Sequence, residues 1–170
     1  MSTDEVPYEI VRPTLSDIEV LVALWQQLVQ DQQRYGTRIR AEANADPAQS
    51  WFGTRMTYDA VRVAKIDGEI VGFVTFERLQ DQFNRTARDG VIHNLYVIPS
   101  SRGHGIGSAL LNRAEELLFE RGVDRVTLEV LEGNRAAQEF YEARAYDLHR
   151  RTYAKAFDQT DTDIAKDPEP

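Results

Sequence analysis

The sequence predicts a mixed α/β (α+β) fold, in which a largely antiparallel, twisted sheet of about six strands is flanked by helices. Asp67-Gly68 separates two β-rich runs, 60–66 and 69–78, and such a pair is a strong hairpin signal. A strand–turn–helix–strand succession over 91–131 requires a parallel, right-handed crossover at the centre of the sheet. The chain has 170 residues, of which 42% are hydrophobic, and this suits a single domain with a substantial core.

The first elements are a short strand and a long helix. Tyr8–Arg12 is a strand candidate that ends at Pro13. Ser16 and Glu19 have capping-box spacing, and apolar residues then recur at helical spacing. We therefore expect a helix that ends at about Gln33.

The next 25 residues, 34–58, are less regular, and Pro47 separates two short predicted helices within them. This segment is either a mobile, substrate-facing stretch or a plain connector. After the hairpin, the polar residues 79–88 predict a loop, and Val91–Ile98 predicts a strand that is ended by Pro99.

The remainder of the chain predicts two helices and two strands. Arg125–Leu131 is a strand candidate, 134–143 is a short helix, and Ala145–Lys155 is predicted as a last strand. The longer helix precedes them and ends before Gly122. Its apolar stripe consists of Ile106, Leu110, Leu111, Ala114, Leu117 and Leu118.

Composition excludes several classes of protein. The chain has no cysteine, which excludes disulfides, thiolate metal sites and a cysteine nucleophile. The net charge of −8 argues against a nucleic-acid-binding surface. No apolar run is long enough for a membrane helix, and the N-terminus does not resemble a secretory signal, so we expect a cytoplasmic protein with no membrane or nucleic-acid partner.

The charged residues are unevenly distributed. Only three of the 20 basic residues are lysines, a composition expected either in a high-salt cytoplasm or from a codon bias toward arginine. Residues 158–170 carry five acids and one lysine together with two prolines. We therefore predict one domain over 1–157 and an acidic, disordered tail over 158–170.

A glycine-rich turn between a strand and an amphipathic helix is the strongest chemical signal. Backbone N–H groups at a helix N-terminus carry partial positive charge, and glycine lets an anion approach them closely. The turn therefore predicts a phosphate site. Its residues are Arg102, Gly103, His104, Gly105, Ile106, Gly107 and Ser108.

Two common phosphate sites fit this turn less well. A P-loop needs a Gly-Lys-Ser/Thr sequence, and the turn has no lysine. A dinucleotide site is favoured by Glu129, which ends the next strand at the distance of a ribose-binding acid. However, four residues separate the preceding strand from the glycines, Ser108 stands where the third glycine belongs, and the chain has only one crossover unit.

The segment Leu95-Tyr-Val-Ile-Pro-Ser-Ser-Arg-Gly-His-Gly-Ile-Gly-Ser-Ala-Leu-Leu111 resembles the coenzyme-A-binding motif of the GNAT superfamily of N-acetyltransferases. A second segment, Asn134-x-x-Ala-x-x-Phe-Tyr-Glu142, is similar to another signature of that family. The resemblance covers about residues 60–153. It implies a GNAT-like fold with a central β-α-β unit that binds coenzyme A.

The resemblance also implies roles for individual residues. The backbone amides from Arg102 to Ser108 would hold the pyrophosphate of acetyl-CoA. The backbone of Leu95, Tyr96 and Val97 would pair with the pantetheine arm, and Asn134 would hydrogen-bond the same arm. Tyr141 would lie near the sulfur and assist the departing thiolate. No metal would be needed, and acetyl-CoA would be the cosubstrate.

The general base is not determined by the motif. Many similar proteins carry Glu-Asp-Leu-Tyr-Val on the central strand, and this chain has His93-Asn-Leu-Tyr-Val97. An imidazole is a competent base near neutral pH. His93 is therefore a catalytic base, a substrate ligand or a structural polar residue, and the strand-end acids Glu77 and Glu129 are alternative bases.

The second signature departs from the family pattern at one position. The family usually ends it with Tyr-Glu-x-x-Gly-Phe, whereas this chain has Tyr141-Glu-Ala-Arg-Ala145-Tyr146. Alanine tolerates the positive φ of a helix-ending turn less well than glycine does. We therefore expect the geometry of this turn to differ locally.

The function that these residues predict is transfer of an acetyl group to a primary amine by direct attack in a ternary complex. The acceptor is a small-molecule amine (a polyamine, an amino acid or an aminoglycoside-like compound) or a protein N-terminal amine. A non-catalytic acyl-CoA-binding sensor and a dinucleotide-binding enzyme are the alternatives. A homodimer through the last strand is compatible with this fold.

Overall fold

A computed structural model of the chain describes residues 7–80 and 87–157, and these form two units that are divided after Asn134. The second unit contains the helix α4 (Arg135–Glu142), and all other elements belong to the first. The helices of the first unit are α1 (Ile18–Gln33), α2 (Ala45–Thr57) and α3 (Ile106–Glu120). Its strands are β1 (Glu9–Val11), β2 (Val61–Ile66), β3 (Glu69–Arg78), β4 (Asp89–Val97) and β5 (Arg125–Leu128).

The five strands form one sheet in the order β1-β2-β3-β4-β5. The first three pairs are antiparallel, and β4 pairs with β5 in parallel, which confirms the predicted mixed sheet. Asp67 and Gly68 both have positive φ, +50° and +83°, at the tip of the predicted hairpin. This is the backbone that a type I′ turn requires and that favours the Asp-Gly pair.

The helices of the first unit cover the two faces of the sheet. On one face, α1 and α2 pack with Phe73 and Tyr96 in a buried apolar cluster. On the other face lies α3, whose predicted apolar stripe is buried throughout. Gly72 allows β3, β4 and α3 to approach closely: a Cβ atom there would be 2.7 Å from the carbonyl oxygen of Tyr96 and 3.3 Å from Leu110.

Two predictions for the N-terminal helices are wrong in detail. The capping interaction before α1 involves Thr14 and Asp17 rather than Ser16 and Glu19, because a 3₁₀ turn begins at Leu15. The Thr14 N–H donates to the Asp17 carboxylate at 2.8 Å. Pro47 does not divide two helices. It lies in the first turn of α2, where a missing N–H removes no helical hydrogen bond.

The last predicted strand, Ala145–Lys155, is absent, so the described residues form five strands rather than about six. A strand needs a partner and a buried face, whereas residues 147–157 are exposed throughout. The strand predicted over Arg125–Leu131 ends earlier, at Leu128. The acidic tail predicted over 158–170 and most of the loop predicted over 79–88 lie outside the described residues.

Candidate active site

Among the residues that the structure describes, β4 is paired on one side only beyond Ile92. The pairing of β4 with β5 ends at Ile92 and Leu128, whereas the pairing with β3 continues to Val97. Hydrogen bonds alternate along an antiparallel pair, and the Ile98 N–H donates to the Val71 carbonyl at 2.9 Å. The backbone groups of Tyr96 therefore face β3, and those of Leu95 and Val97 face the open side. The segment 95–97, which the sequence predicts as a ligand-binding strand, therefore has two residues, Leu95 and Val97, whose backbone can pair with an extended ligand.

A β-bulge in β4 lies just before this open edge. Thr75 and Phe76 are consecutive in β3 but pair with Asn94 and Ile92, so His93 is the extra residue of β4. Bulges change the direction of a strand and re-aim side chains, and they occur often beside active sites. The bulge therefore coincides with the point where β4 leaves β5.

The glycine-rich turn follows the open edge and leads into α3. Gly103 and Gly105 have φ of +81° and +78°, and Gly105 is the N-cap of α3. Only glycine adopts this backbone without strain. Within residues 7–80 and 87–157, the amides of Gly103 to Gly107 have no acceptor. They form a set of donors at a helix N-terminus, which is the arrangement that binds phosphate groups.

The Arg102 side chain connects this turn to two other elements. Its Nε donates to the Val97 carbonyl at 2.8 Å, and its Nη2 lies 3.1 Å from the Asp31 carboxylate on α1. The guanidinium also lies over the Tyr96 ring, 5.4 Å from the ring centroid. Arg102 thus fixes the turn against β4 and α1. His104, by comparison, is exposed.

Tyr96 supports the site from within the core. Its ring is buried, and its hydroxyl donates to the Gln27 side chain at 3.3 Å. Burial, with the Asp31 carboxylate adding to it, raises the pKa of the Tyr96 hydroxyl above its ordinary value. The residue therefore remains neutral at physiological pH, and it serves as the surface on which Arg102 stacks.

A polar cluster, which we call the His93 cluster, consists of His93, Glu77, Arg55 and Trp51. The Nε2 atom of His93 lies 2.6 Å from Oε1 of Glu77, and the other oxygen of this carboxylate pairs with Arg55. The Trp51 ring is edge-on to the imidazole at 6.0 Å and lies 4.9 Å from the guanidinium of Arg55. Three elements, α2, β3 and the bulge of β4, therefore meet at the predicted base.

Glu77 is held in its charged form. Burial alone would raise the pKa of Glu77, but the hydrogen bonds from Arg55 and His93 outweigh it, so the pKa lies below its ordinary value. Such a carboxylate is a poor proton acceptor, and this argues against Glu77 as the base. Glu129, the other alternative, is an exposed residue just after β5.

Asn134 and Tyr141 mark the transition to the second unit. Asn134 directly precedes α4, and its N–H donates to the Leu131 carbonyl at 2.8 Å. Tyr141 lies on α4 and makes edge-on contacts with Phe140 and Tyr146. Burial raises the pKa of Tyr141 to about 12, against a smaller opposing effect of Arg144. The phenol is therefore protonated at neutral pH and can donate a proton or a hydrogen bond.

Sequence reasoning missed Arg55 and Asp31. Arg55 is one helical turn after Trp51, a spacing that places both on one face of α2, but its partner Glu77 is 22 residues away. Asp31 and Arg102 are 71 residues apart, and no local pattern connects them. Within residues 7–80 and 87–157, no three histidine or acidic side chains are arranged to hold a metal ion.

Three comparisons with known proteins agree with this geometry. The model of the acetyltransferase (GNAT) family matches residues 24–146. An uncharacterised N-acetyltransferase from Archaeoglobus fulgidus is 34% identical over 84% of this chain and 93% of its own length. Among solved structures, a GCN5-related N-acetyltransferase from Ralstonia eutropha JMP134 is 23% identical, with a TM-score of 0.73 over 88% of this chain and 99% of that one.

An aminoglycoside N-acetyltransferase in complex with CoA has the same fold at 15% identity. Its TM-score is 0.70, over 92% of this chain and 99% of that chain. None of the helices in the described part of this chain is long and apolar enough to cross a membrane.

Proposed function

This chain belongs to the acetyltransferase (GNAT) family, and from that membership we propose that it transfers the acetyl group of acetyl-CoA to a primary amine by direct attack in a ternary complex. One observation carries the proposal: the open backbone edge of β4 is followed, after a short 3₁₀ turn, by the start of α3, where the amides of Gly103 to Gly107 have no acceptor among the described residues. An extended arm and a phosphate group, joined in one ligand, would fit these two adjacent features. Acetyl-CoA has both parts.

The turn would bind the pyrophosphate. The amides from Arg102 to Ser108 surround the start of α3, where the helix dipole favours an anion. Arg102 holds the turn in place through Val97 and Asp31, and it adds positive charge nearby. The site suits a phosphate even though the chain as a whole is acidic.

The open edge would bind the pantetheine arm and the thioester. The Val97 N–H would pair with a carbonyl of the arm in the manner of an added strand, while the Val97 carbonyl accepts from Nε of Arg102. The Leu95 N–H would then be available to the oxyanion that forms on the acetyl carbonyl. Asn134, at the end of the first unit, would donate a further hydrogen bond to the arm.

Proton transfer completes the reaction. An amine with a pKa near 10 is mostly protonated at pH 7, so His93 would accept a proton before attack. The amine nitrogen then forms a bond to the acetyl carbon while the carbon–sulfur bond breaks. Tyr141, whose burial keeps it protonated, would donate its proton to the departing thiolate. The second proton that the nitrogen loses as the amide forms would restore the phenol, and the proton held by His93 would be released to solvent.

The acceptor would be an amine without several positive charges. The His93 cluster has one carboxylate, Glu77, and it is already paired with Arg55. A polyamine would need free negative charge there to replace its lost solvation. This supports an amino acid or a protein N-terminal amine as the acceptor over a polyamine or an aminoglycoside-like amine, since both of the latter carry several positive charges.

The test is calorimetric titration of the full chain with acetyl-CoA and, separately, with NAD, at low and high salt. We expect micromolar binding of acetyl-CoA alone, followed by thiol release with at least one member of an amine panel that includes spermidine. Tyr141→Phe should reduce thiol release more than acetyl-CoA binding. Binding without thiol release for any amine would indicate an acyl-CoA sensor, and binding of NAD alone would overturn the proposal.

A further inference from the structure

The hydrogen bond between His93 and Glu77 determines the tautomer of the imidazole as well as the position of the side chain. A carboxylate can only accept hydrogen bonds, so at a separation of 2.6 Å the Nε2 atom of His93 must be the donor. In the neutral imidazole the proton therefore lies on Nε2 and the lone pair on Nδ1. In the part of the chain that the structure describes, Nδ1 has no hydrogen-bond partner.

We infer that Glu77 is a positioning residue for the reaction, which holds His93 in the Nε2–H tautomer and presents Nδ1 as the base toward the acceptor amine. This inference rests on the proposed function, in which His93 is the base. Glu77 does not touch the substrate itself. It acts through His93, as a carboxylate that selects one tautomer and one ring orientation.

Arg55 has a distinct part in this arrangement. Its guanidinium pairs with the second oxygen of Glu77, which leaves the first oxygen directed at His93. An unpaired carboxylate could rotate away from His93 or take up a proton and become a donor. The pair with Arg55 opposes both, so the carboxylate remains an acceptor for the Nε2–H.

In the proposed reaction, the imidazole would carry a positive charge transiently. When Nδ1 takes the proton of the acceptor ammonium, the ring becomes an imidazolium whose charge Glu77 partly balances. The groups that face the ring are Glu77 from β3 and Trp51 from α2, and the cation Arg55 lies behind the carboxylate. Asn94, the next residue of β4, is neutral and donates to Thr75 at 3.0 Å.

The tautomer can be measured without any acceptor. Long-range proton–nitrogen NMR correlations of the full chain distinguish the Nε2–H from the Nδ1–H form, and His93→Gln identifies the signal among the three histidines. We expect the Nε2–H form in the unmodified protein and a mixed population in Glu77→Gln. Glu69→Gln removes an exposed carboxylate from the same strand and is the matched control. An Nδ1–H form, or an unchanged tautomer in Glu77→Gln, would overturn the inference.

Kinetics supply the second readout. His93→Gln should lower kcat/KM by roughly 10²–10⁴, the usual contribution of a general base. Glu77→Gln should lower kcat by about tenfold, with little change in the KM for acetyl-CoA, and should move the acid limb of the pH profile to lower pH because the imidazolium loses its counter-charge. An unchanged kcat and pH profile would overturn the inference while acetyl transfer itself stands. Failure to acetylate any amine would instead overturn the proposed function.

Discussion

The guanidinium of Arg102 lies 3.1 Å from the carboxylate of Asp31, although 71 residues separate the two in the chain. The same guanidinium donates to the Val97 carbonyl at the end of β4. The turn before α3 is therefore fixed to α1 and to the sheet. Contacts within the protein that hold the turn in one geometry reduce the entropy that binding must overcome.

Removal of the Arg102 side chain should weaken binding of acetyl-CoA by about tenfold, since the turn would lose both connections. Asp31→Asn should act in the same direction with a smaller effect. If Arg102 acts through Asp31, the double variant should bind no more weakly than Arg102→Ala alone. Calorimetry on the four proteins tests this, with Arg113→Ala on the exposed face of α3 as control. Fully additive effects would contradict the prediction.

Two glycines with similar backbones allow stability and binding to be separated. Gly105 and Gly68 have φ of +78° and +83°, and a Cβ atom at either would meet no closer neighbour than the Tyr8 hydroxyl at 3.8 Å. Alanine should therefore destabilise the fold at both sites by about 1–2 kcal/mol through backbone strain. Only Gly105→Ala should also weaken acetyl-CoA binding, since its Cβ would obstruct the approach of the phosphate. If Gly105→Ala and Gly68→Ala have the same stability to urea and bind acetyl-CoA with equal affinity, the turn is not the phosphate site.

Asp59 should make the protein sensitive to acid. Its carboxylate accepts from Arg62 and also pairs with Arg12 and Arg121. The hydrogen bond from Arg62 is the largest effect on the pKa of Asp59, and together with the nearby positive charges it outweighs burial and holds that pKa below the ordinary value. The stabilisation is thus complete above the unfolded pKa of about 3.9 and is lost as the pH falls through the folded value.

Asp59→Asn should therefore lower the urea midpoint at pH 7 and make the midpoint less dependent on pH below about 4. Asp67→Asn is the matched control, because Asp67 also has positive φ, +50° against +53° for Asp59. Asparagine tolerates that backbone well. If both variants lose the same stability at pH 7, the arginine pairs of Asp59 contribute nothing measurable.

Ala145 occupies a position that favours glycine. Its φ is +63°, and the Tyr146 N–H donates to the Tyr141 carbonyl at 3.2 Å, as in the Schellman ending of a helix. The expectation that the geometry of this turn differs locally is therefore wrong: the motif is regular, and the alanine adopts the left-handed backbone at the cost of strain. Ala145→Gly should raise the melting temperature by about 2–4 °C, which corresponds to about 1 kcal/mol. Ala143→Gly, in the preceding turn at negative φ, should lower it. A lower melting temperature for Ala145→Gly would show that the strain is relieved elsewhere.

Features that depend on neighbouring residues could be predicted from the sequence. The Asp67-Gly68 hairpin, the stripe of α3 and the glycine turn each follow from residue types at fixed local spacing. The last strand could not be predicted correctly, because strand formation over 145–155 depends on a partner that no local pattern reveals. Local spacing alone does not distinguish Thr14 from Ser16 as the capping residue, because two overlapping patterns, 14–17 and 16–19, compete within one turn.

In the candidate site, too, the features that depend on neighbouring residues could be predicted, and the contacts between distant elements could not. The motif located the backbone of Leu95 and Val97, yet the orientation of each depends on the pairing with β3. His93 was found as a candidate base. Its dependence on Glu77 and Arg55 was not, because these contacts join three elements in space. Charge pairing across elements is the information that a linear sequence does not carry.

The bulge at His93 also determines which sequence changes β4 can tolerate at this position. Since His93 has no counterpart in β3, its side chain can be exchanged without altering the pairing of the residues around it. If His93 is the base, position 93 is thus where this scaffold can substitute one proton acceptor for another during divergence or redesign. Deletion of the residue would be a different matter. Ile92 and Asn94 would become consecutive opposite Phe76 and Thr75, so β4 would keep its pairing but would lose the bulge and the change of strand direction that the bulge provides.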